Sequence, residues 1–274
     1  MAAAVPVAYE WLLALAPWES PEVLEQSLQT LENQSWPAQR LVVSVDGQLP
    51  KPLATVLQAT TLPTLVLEAP EWCGTGPTLA RGLEACRCTW ILRADADDDS
   101  HPQRAEQLLR NLELHPQLSV LGGQMVEREL WTSQTKQLRR VPTDPQHVQQ
   151  LLRWRTPLNH PTVALRRETV LEAGNYRDSP GFEDWDLWLR LNQCGHQIGN
   201  LDEILVTARV GPRHLQRRHG WCYAKREARF LWRCGREKLL QRHHIALLML
   251  IRLPWRLLPA QWLQAVMQWL RSSH

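Results

Sequence analysis

Ile91-Leu92-Arg93-Ala94-Asp95-Ala96-Asp97-Asp98-Asp99-Ser100-His101-Pro102 is the stretch that decides the fold. The apolar run from Thr89 to Leu92 predicts a short buried strand. It ends in four carboxylates within five residues. Like charges this close repel, and partial burial adds a desolvation cost to each. Two readings stand. In one, a divalent cation that prefers oxygen ligands, Mn2+ or Mg2+, gathers the carboxylates. In the other, the acids form a solvated turn, and Asp99 or Ser100 caps a helix starting near Pro102. The C-terminal end of a strand is where open α/β sheets take their ligands, which favours the cation.

Upstream, the same alternation repeats. Trp11 to Ala16 is a continuous apolar run closed by Pro17, the pattern of a strand buried on both faces. Ser20-Pro21-Glu22 carries the signals of a helix start, and Leu24, Leu28 and Leu31 share one face of that helix. Arg40 to Val45 predicts a second strand, stopping at Asp46-Gly47. Leu53 to Leu57 predicts a short helix and Thr64 to Leu67 a third strand. Gly74-Thr75-Gly76 opens another helix, through Leu79, Leu83 and Cys86. This β-α-β-α-β-α-β order is that of a mostly parallel sheet with helices on its faces. The strand ends at Ala16 to Glu19, at Asp46 and at Asp95 to Asp98 should lie along one edge. No G-x-G-x-x-G and no G-x-x-x-x-G-K-[ST] occurs, which weakens a dinucleotide-binding domain and a P-loop ATPase.

Downstream, Pro102 to Leu114 predicts a helix. Leu118 to Val126 predicts a strand interrupted at Gly122-Gly123, and Glu127 to Thr143 a loop or hairpin. Next come a helix over Pro145 to Leu152, a strand over Thr162 to Leu165 and a helix over Glu168 to Ala173, the last closed by Gly174-Asn175. Phe182-Glu183-Asp184-Trp185-Asp186 starts a helix with three acids in its first turn, and Ile204 to Ala208 predicts the last strand. The expected organisation is an α/β domain over 1–208, with halves over 1–100 and 101–208, and a basic helical tail over 209–274.

The 274 residues have a formal charge of +3, unevenly spread. Arg209 to Arg256 holds thirteen Lys and Arg against two Glu, a local +11 that leaves −8 on the rest. Mean hydropathy is −0.36, against an integral membrane protein. The six cysteines lack the paired spacing of a zinc site, and a reducing cytoplasm is expected. Met1 to Glu10 lacks the features of a secretory signal.

Asp95-Ala-Asp-Asp98 together with Glu183-Asp184-Trp-Asp-Leu-Trp188 resembles glycosyltransferase family 2, inverting enzymes of the GT-A fold that use nucleotide sugars. The resemblance extends to Leu28-x-x-Leu31-x-x-Gln34-x-x-Pro37, Val45-Asp46-Gly47, Gly74-x-Gly76, Asn159-His-Pro-Thr162 and Gly174-Asn-Tyr176. It implies a nucleotide-sugar-binding half over 1–100, an acceptor half over 101–208, and roles for matching residues. Asp46 accepts from the nucleotide base. Asp95 lies near ribose and metal, and Asp97 is the main metal ligand. Ala16 and Gly76 border the nucleotide. Asp184 is the catalytic base, with Glu183 as the fallback. Family members often carry an aromatic where Ala16 stands, and Asn near Trp72 and Ala80, so UDP is the default nucleotide with dTDP and GDP open.

Physical chemistry supports this assignment. Displacing a nucleoside diphosphate from an anomeric carbon builds negative charge on the leaving group, which a cation stabilises. The attacking hydroxyl must lose a proton, so a carboxylate is needed on the opposite face, from another element. Each residue also has a plainer reading. Asp184 and Asp186 sit where acids satisfy a helix dipole, and Asp186 is expected to do that. His160 and Asn159 are expected on the acceptor side, His160 with even weight as a structural histidine. Trp185 is expected to stack on an acceptor sugar, while Trp188 has core packing as its equal alternative.

His214 to Lys238 is Arg-rich and interleaved with aromatics, and Gln261 to Arg271 carries an apolar stripe. The tail is either a packed appendage or an interfacial element on anionic lipid, at the cytoplasmic face of the inner membrane. A nucleic-acid partner is disfavoured by the acidic body. The expected substrates are a nucleotide-sugar donor and a saccharide or lipid-linked saccharide acceptor, in surface polysaccharide synthesis. The alternatives are a metal-dependent nucleotidyltransferase or phosphohydrolase, and a degenerate carbohydrate- or membrane-binding scaffold.

Overall fold

The computed structural model describes residues 6–129, 135–210 and 220–257. Four parallel strands make one half of the sheet. They are β1 (Tyr9–Leu15), β2 (Arg40–Val45), β3 (Thr64–Leu67) and β4 (Trp90–Asp95), in the order β3-β2-β1-β4. Trp11, Leu12, Leu13, Leu41, Val42, Val43, Ile91 and Leu92 are buried, because helices cover both faces. Those helices are the crossovers α1 (Pro21–Glu32), α2 (Lys51–Ala59) and α3 (Thr75–Ala85). The Ser20 hydroxyl accepts from the Val23 amide at 3.4 Å, starting α1, and Leu24, Leu28 and Leu31 turn inward. β4 runs three residues past its expected end at Leu92, and Asp95 pairs with Ala14 of β1. The first carboxylate of the acidic stretch is thus fixed by the sheet itself.

The chain continues through β5 (Asp98–Ser100), α4 (Arg104–Leu114), β6 (Leu118–Glu129), β7 (Thr135–Arg139) and α5 (Pro145–Leu152). A 3-10 turn at His160–Thr162 leads to β8 (Ala164–Arg166), α6 (Arg167–Glu172), α7 (Glu183–Gln193) and β9 (Gln197–Val210). These strands extend the sheet as β4-β8-β6-β9-β5, with β7 on β6. β8 pairs antiparallel with β4 and β6, and β5 antiparallel with β9. The architecture is α/β, a parallel sheet curling into an antiparallel half.

Two expectations change. Asp99 and Ser100 do not cap the following helix. They belong to β5, facing Thr207 and Val206 of β9, and α4 begins at Arg104 with no side-chain cap. Gly122-Gly123 does not interrupt its strand either. A Cβ at Gly123 would lie 2.6 Å from Leu205 Cδ1 and 2.9 Å from the Glu203 carbonyl, so close packing requires the bare backbone.

The chain divides into two units. One comprises 1–178 and 183–209, the other 179–182 and 210–274. The four residues Ser179–Phe182 therefore pack with the C-terminal part, which the expected boundary after 208 does not anticipate. In the second unit, α8 (Trp221–Arg236) and α9 (Arg242–Leu257) carry that segment. Phe182 stacks on Phe230 with ring centroids 4.8 Å apart. The apolar stripe expected over Gln261 to Arg271 lies outside the described residues. Among those described, no helix is long and apolar enough to cross a membrane.

Candidate active site

The carboxylates converge at the C-terminal edge of the parallel strands. Asp95 ends β4, Asp97 comes two residues later, and Asp98 opens β5. One oxygen from each lies within 4.8 Å of the others. Burial, and then the charge of Asp95, pushes the Asp97 carboxyl up to about 7, with Glu19 adding to the shift. Asp98 rises for the same reasons, burial first, then Asp95 and Asp97. Three acids held together against this cost fit an oxygen-preferring divalent cation, with Asp95, Asp97 and Asp98 as the residues that would hold it.

Arg93 offsets part of the repulsion. Two residues before Asp95, its side chain lies on the same face of β4 and donates to the Asp95 carboxylate through both terminal nitrogens. Arg104 is buried beneath. It donates to the Arg93 carbonyl and, at 2.9 Å, to the Ser100 hydroxyl, with its guanidinium 5.0 Å from the Trp11 ring centroid. Burial, and then the charge of Arg93, lowers the Arg104 pKa to about 9. Arg209 of β9 pairs with Asp99. That pairing accounts for the fourth acid, which stands apart from the cluster.

Asp46 sits just past β2, and its carboxylate accepts from the Cys73 amide at 2.7 Å and the Gly74 amide at 3.1 Å. It therefore ties the β3–α3 loop to the end of β2. Ala16 lies just past β1, and its carbonyl accepts from the Glu19 amide at 3.1 Å. Gly76 lies in the first turn of α3. A Cβ there would lie 2.1 Å from the Arg177 carbonyl oxygen and 3.3 Å from Glu183 Cγ. The expected donor-side glycine is thus in contact with the segment that carries the acidic pair.

Glu183 and Asp184 open α7, and the Asp184 carboxylate accepts from the Trp185 amide at 2.7 Å. Asp186 does more than face a helix dipole. Fully buried, it pairs with Arg190 at 2.9 Å, and Arg190 in turn donates to the Ala173 and Asn175 carbonyls. That clamp fixes the loop preceding Tyr176. Burial raises the Tyr176 hydroxyl pKa against the opposing effect of Arg93, with Asp184 and Glu183 adding to the rise. Tyr176 therefore feels both Arg93, the partner of Asp95, and the acidic start of α7.

The residues expected on the acceptor side are each tied into the protein itself. Trp185 is 2% exposed, and its indole N–H donates to the Leu152 carbonyl at 2.7 Å, so its face is not open to a sugar. Asn159 is buried and donates to the Gly123 and Arg139 carbonyls at 3.0 and 3.1 Å, clipping β6 to the end of β7. His160 contacts the Tyr176 hydroxyl at 2.9 Å and packs edge-on to the buried Trp188. Burial, and then Arg93, holds the His160 pKa well below the usual histidine range. It is a neutral polar support behind the cluster. Sequence reasoning gives no role to Arg93, Arg104 or Tyr176. Arg93 carries a signal nonetheless, a cation inside an otherwise apolar strand.

A family model described as glycosyl transferase family 2 matches residues 18–174. Over 218 residues the chain is 33% identical to the amylovoran biosynthesis glycosyltransferase AmsE of Erwinia amylovora, covering 79% of this chain and 81% of that one. Over 252 residues it is 25% identical to the UDP-Gal:alpha-D-GlcNAc-diphosphoundecaprenol beta-1,3-galactosyltransferase of Escherichia coli, covering 90% of each. Its structure is similar to that of the mannosyltransferase PcManGT from Pyrobaculum calidifontis in complex with GDP-Man and Mn2+. The TM-score is 0.64 at 14% identity, over 96% of this chain and 79% of that one. That likeness shows a shared GT-A fold.

Proposed function

The chain belongs to glycosyl transferase family 2, and we propose that it transfers a sugar, with inversion, from a nucleoside-diphosphate sugar to a hydroxyl of a lipid-linked saccharide during surface polysaccharide synthesis. Family membership replaces the nucleotidyltransferase and scaffold readings. The observation that carries the proposal is the convergence of Asp95, Asp97 and Asp98, with oxygens within 4.8 Å of one another, on the half of the fold that Gly76 joins to Glu183. The E. coli relative is named for UDP-galactose and a diphosphoundecaprenol-linked acceptor, which supports a UDP-sugar donor and a lipid-linked acceptor. The P. calidifontis structure holds Mn2+, which supports Mn2+ or Mg2+ at the three aspartates.

A cation held there supplies positive charge to the diphosphate as it leaves. Asp46 and the loop it fixes border the nucleotide, along with Ala16 and Gly76. Asp184 removes the proton of the acceptor hydroxyl while that oxygen bonds to the anomeric carbon and the bond to the phosphate oxygen breaks. Glu183, its neighbour at the start of α7, is the fallback base. A lipid-linked acceptor places the reaction at the cytoplasmic face of a membrane. The test is Asp184→Asn. Transfer should fall by about 10²–10⁴-fold, the usual contribution of a general base, while UDP binding with Mn2+ stays unchanged by calorimetry. Transfer at the wild-type rate would remove Asp184 from the chemistry.

A further inference from the structure

The two helices of the C-terminal unit present an unusual pair of outer faces. Their inner faces are satisfied. Tyr223, Ala224, Phe230, Leu231 and Cys234 of α8 are buried, as are Ile245 and Leu248 of α9. A Cβ at Gly235 would lie 2.8 Å from Ile245 Cδ1, so the helices meet closely there. Glu227 is fully buried and accepts from Arg252 and from Arg256, the latter at 2.8 Å. Arg256 also lies over the Tyr223 ring, 4.7 Å from its centroid. The Gly220 amide donates to the Arg256 carbonyl at 2.8 Å, so the start of α8 meets the end of α9 and the helices run antiparallel.

The outer face of α9 is apolar. Leu247, Leu250, Ile251 and Trp255 are 40%, 73%, 48% and 41% exposed. Their spacing puts them in one stripe along more than two turns. The outer face of α8 is cationic and aromatic. Lys225, Arg226, Arg229 and Arg236 are exposed, with Trp221 and Trp232 among them, and Arg236 sits 5.2 Å from the Trp232 ring centroid. The acids of the two helices and their connection are Glu227 and Glu237, and Glu227 is buried. The exposed charge of this hairpin is therefore overwhelmingly positive.

We infer that the outer faces of α8 and α9 form a docking surface for an anionic lipid bilayer. An apolar stripe on one helix and an Arg-Lys-Trp stripe on its neighbour match the two layers of that surface. Leu and Ile enter the acyl boundary, Trp settles at headgroup depth, and the cations meet lipid phosphate. A second copy of this chain is a poorer occupant, because a self-complementary contact would set one cationic helix against another. The inference rests on the surface of this unit and not on the sugar-transfer reading.

The test is flotation of the full chain with vesicles of phosphatidylcholine alone, or mixed with phosphatidylglycerol. Wild type should partition into the mixed vesicles about tenfold or more over the neutral ones, and added salt should weaken it. Leu250→Glu with Ile251→Glu changes two exposed side chains and should cut that binding by about tenfold or more, with the melting temperature unchanged. Arg226→Gln with Arg229→Gln should reduce binding to the mixed vesicles only. Wild type that does not float with anionic vesicles, or a Leu250→Glu/Ile251→Glu variant that floats as wild type does, would overturn the inference. So would a concentration-dependent dimer in light scattering that the same variant abolishes, which would assign the stripe to self-association.

Discussion

The Arg93 guanidinium holds the Asp95 carboxylate through both of its terminal nitrogens, from two residues earlier on the same strand. The acidic edge therefore has a counter-ion built into β4, independent of any metal. Removing that cation leaves Asp95, Asp97 and Asp98 without it. Arg93→Met should destabilise the metal-free protein by about 1–3 kcal/mol, the usual cost of leaving a partly buried polar group without its partner. Urea unfolding in EDTA measures this, and Mn2+ should restore part of the loss. An unchanged midpoint would show that the pair contributes nothing.

Asp97 gives the site a pH dependence whose sign comes from its shift. Its folded pKa of about 7 lies above the ordinary aspartate value near 3.9. Between those values the folded protein binds more protons than the unfolded chain. The contribution of Asp97 to stability is therefore most favourable below about pH 4, declines as pH rises to about 7, and is then level. A cation needs the deprotonated carboxylate. The melting-temperature gain from Mn2+ should thus grow as pH rises across about 7. Thermal unfolding with EDTA or Mn2+ at about pH 5.5 and about pH 8 checks this, with Asp97→Asn as the flattened control. Equal gains at both pH values would contradict it.

Trp185 separates a structural from a substrate role. Trp185→Phe keeps a buried ring but deletes the donor to the Leu152 carbonyl. It should cost about 0.5–1.5 kcal/mol plus a small packing loss, and leave the acceptor KM unchanged. Trp185→Ala should cost about 3–5 kcal/mol. A Trp185→Phe variant with wild-type stability and a severalfold higher acceptor KM would return the indole to the acceptor site.

Gly76 packs the first turn of α3 against the segment that leads into α7. Alanine there meets the Arg177 carbonyl, a backbone atom that cannot swing aside. Gly76→Ala should destabilise the protein by about 1–3 kcal/mol and lower kcat more than donor binding, because the displaced segment leads into Glu183 and Asp184. Stability and kcat both at wild-type levels would show that the contact is dispensable.

These residues also separate what is legible in the sequence from what is not. Arg40 to Val45 and Thr64 to Leu67 are strands with the expected ends, because apolar runs between turn residues are local signals. The acidic edge is readable because charge at a strand end has few structural uses. Asp99 is misleading because its partner, Arg209, lies 110 residues away, on a strand whose pairing with β5 no local pattern announces. The partners of Trp185 and Asn159 are hidden for a related reason. Motif spacing locates them near the site, but the Leu152, Gly123 and Arg139 carbonyls that bury them come from distant elements. Ser179–Phe182 joins the C-terminal unit through Phe230, a contact set by tertiary packing.

Inverting transfer from a nucleotide sugar, with Asp184 as base, is tested most directly by proton NMR of the product. The assay mixture contains an α-linked UDP-sugar, an undecaprenyl-diphosphate-linked saccharide and Mn2+ as test substrates and cofactor, with UDP release measured in parallel. The predicted result is one UDP released per sugar transferred and a newly formed β-anomeric linkage, both lost in Asp184→Asn. An α-linked product would contradict inversion, and transfer that persists in Asp184→Asn would contradict the assignment of the base.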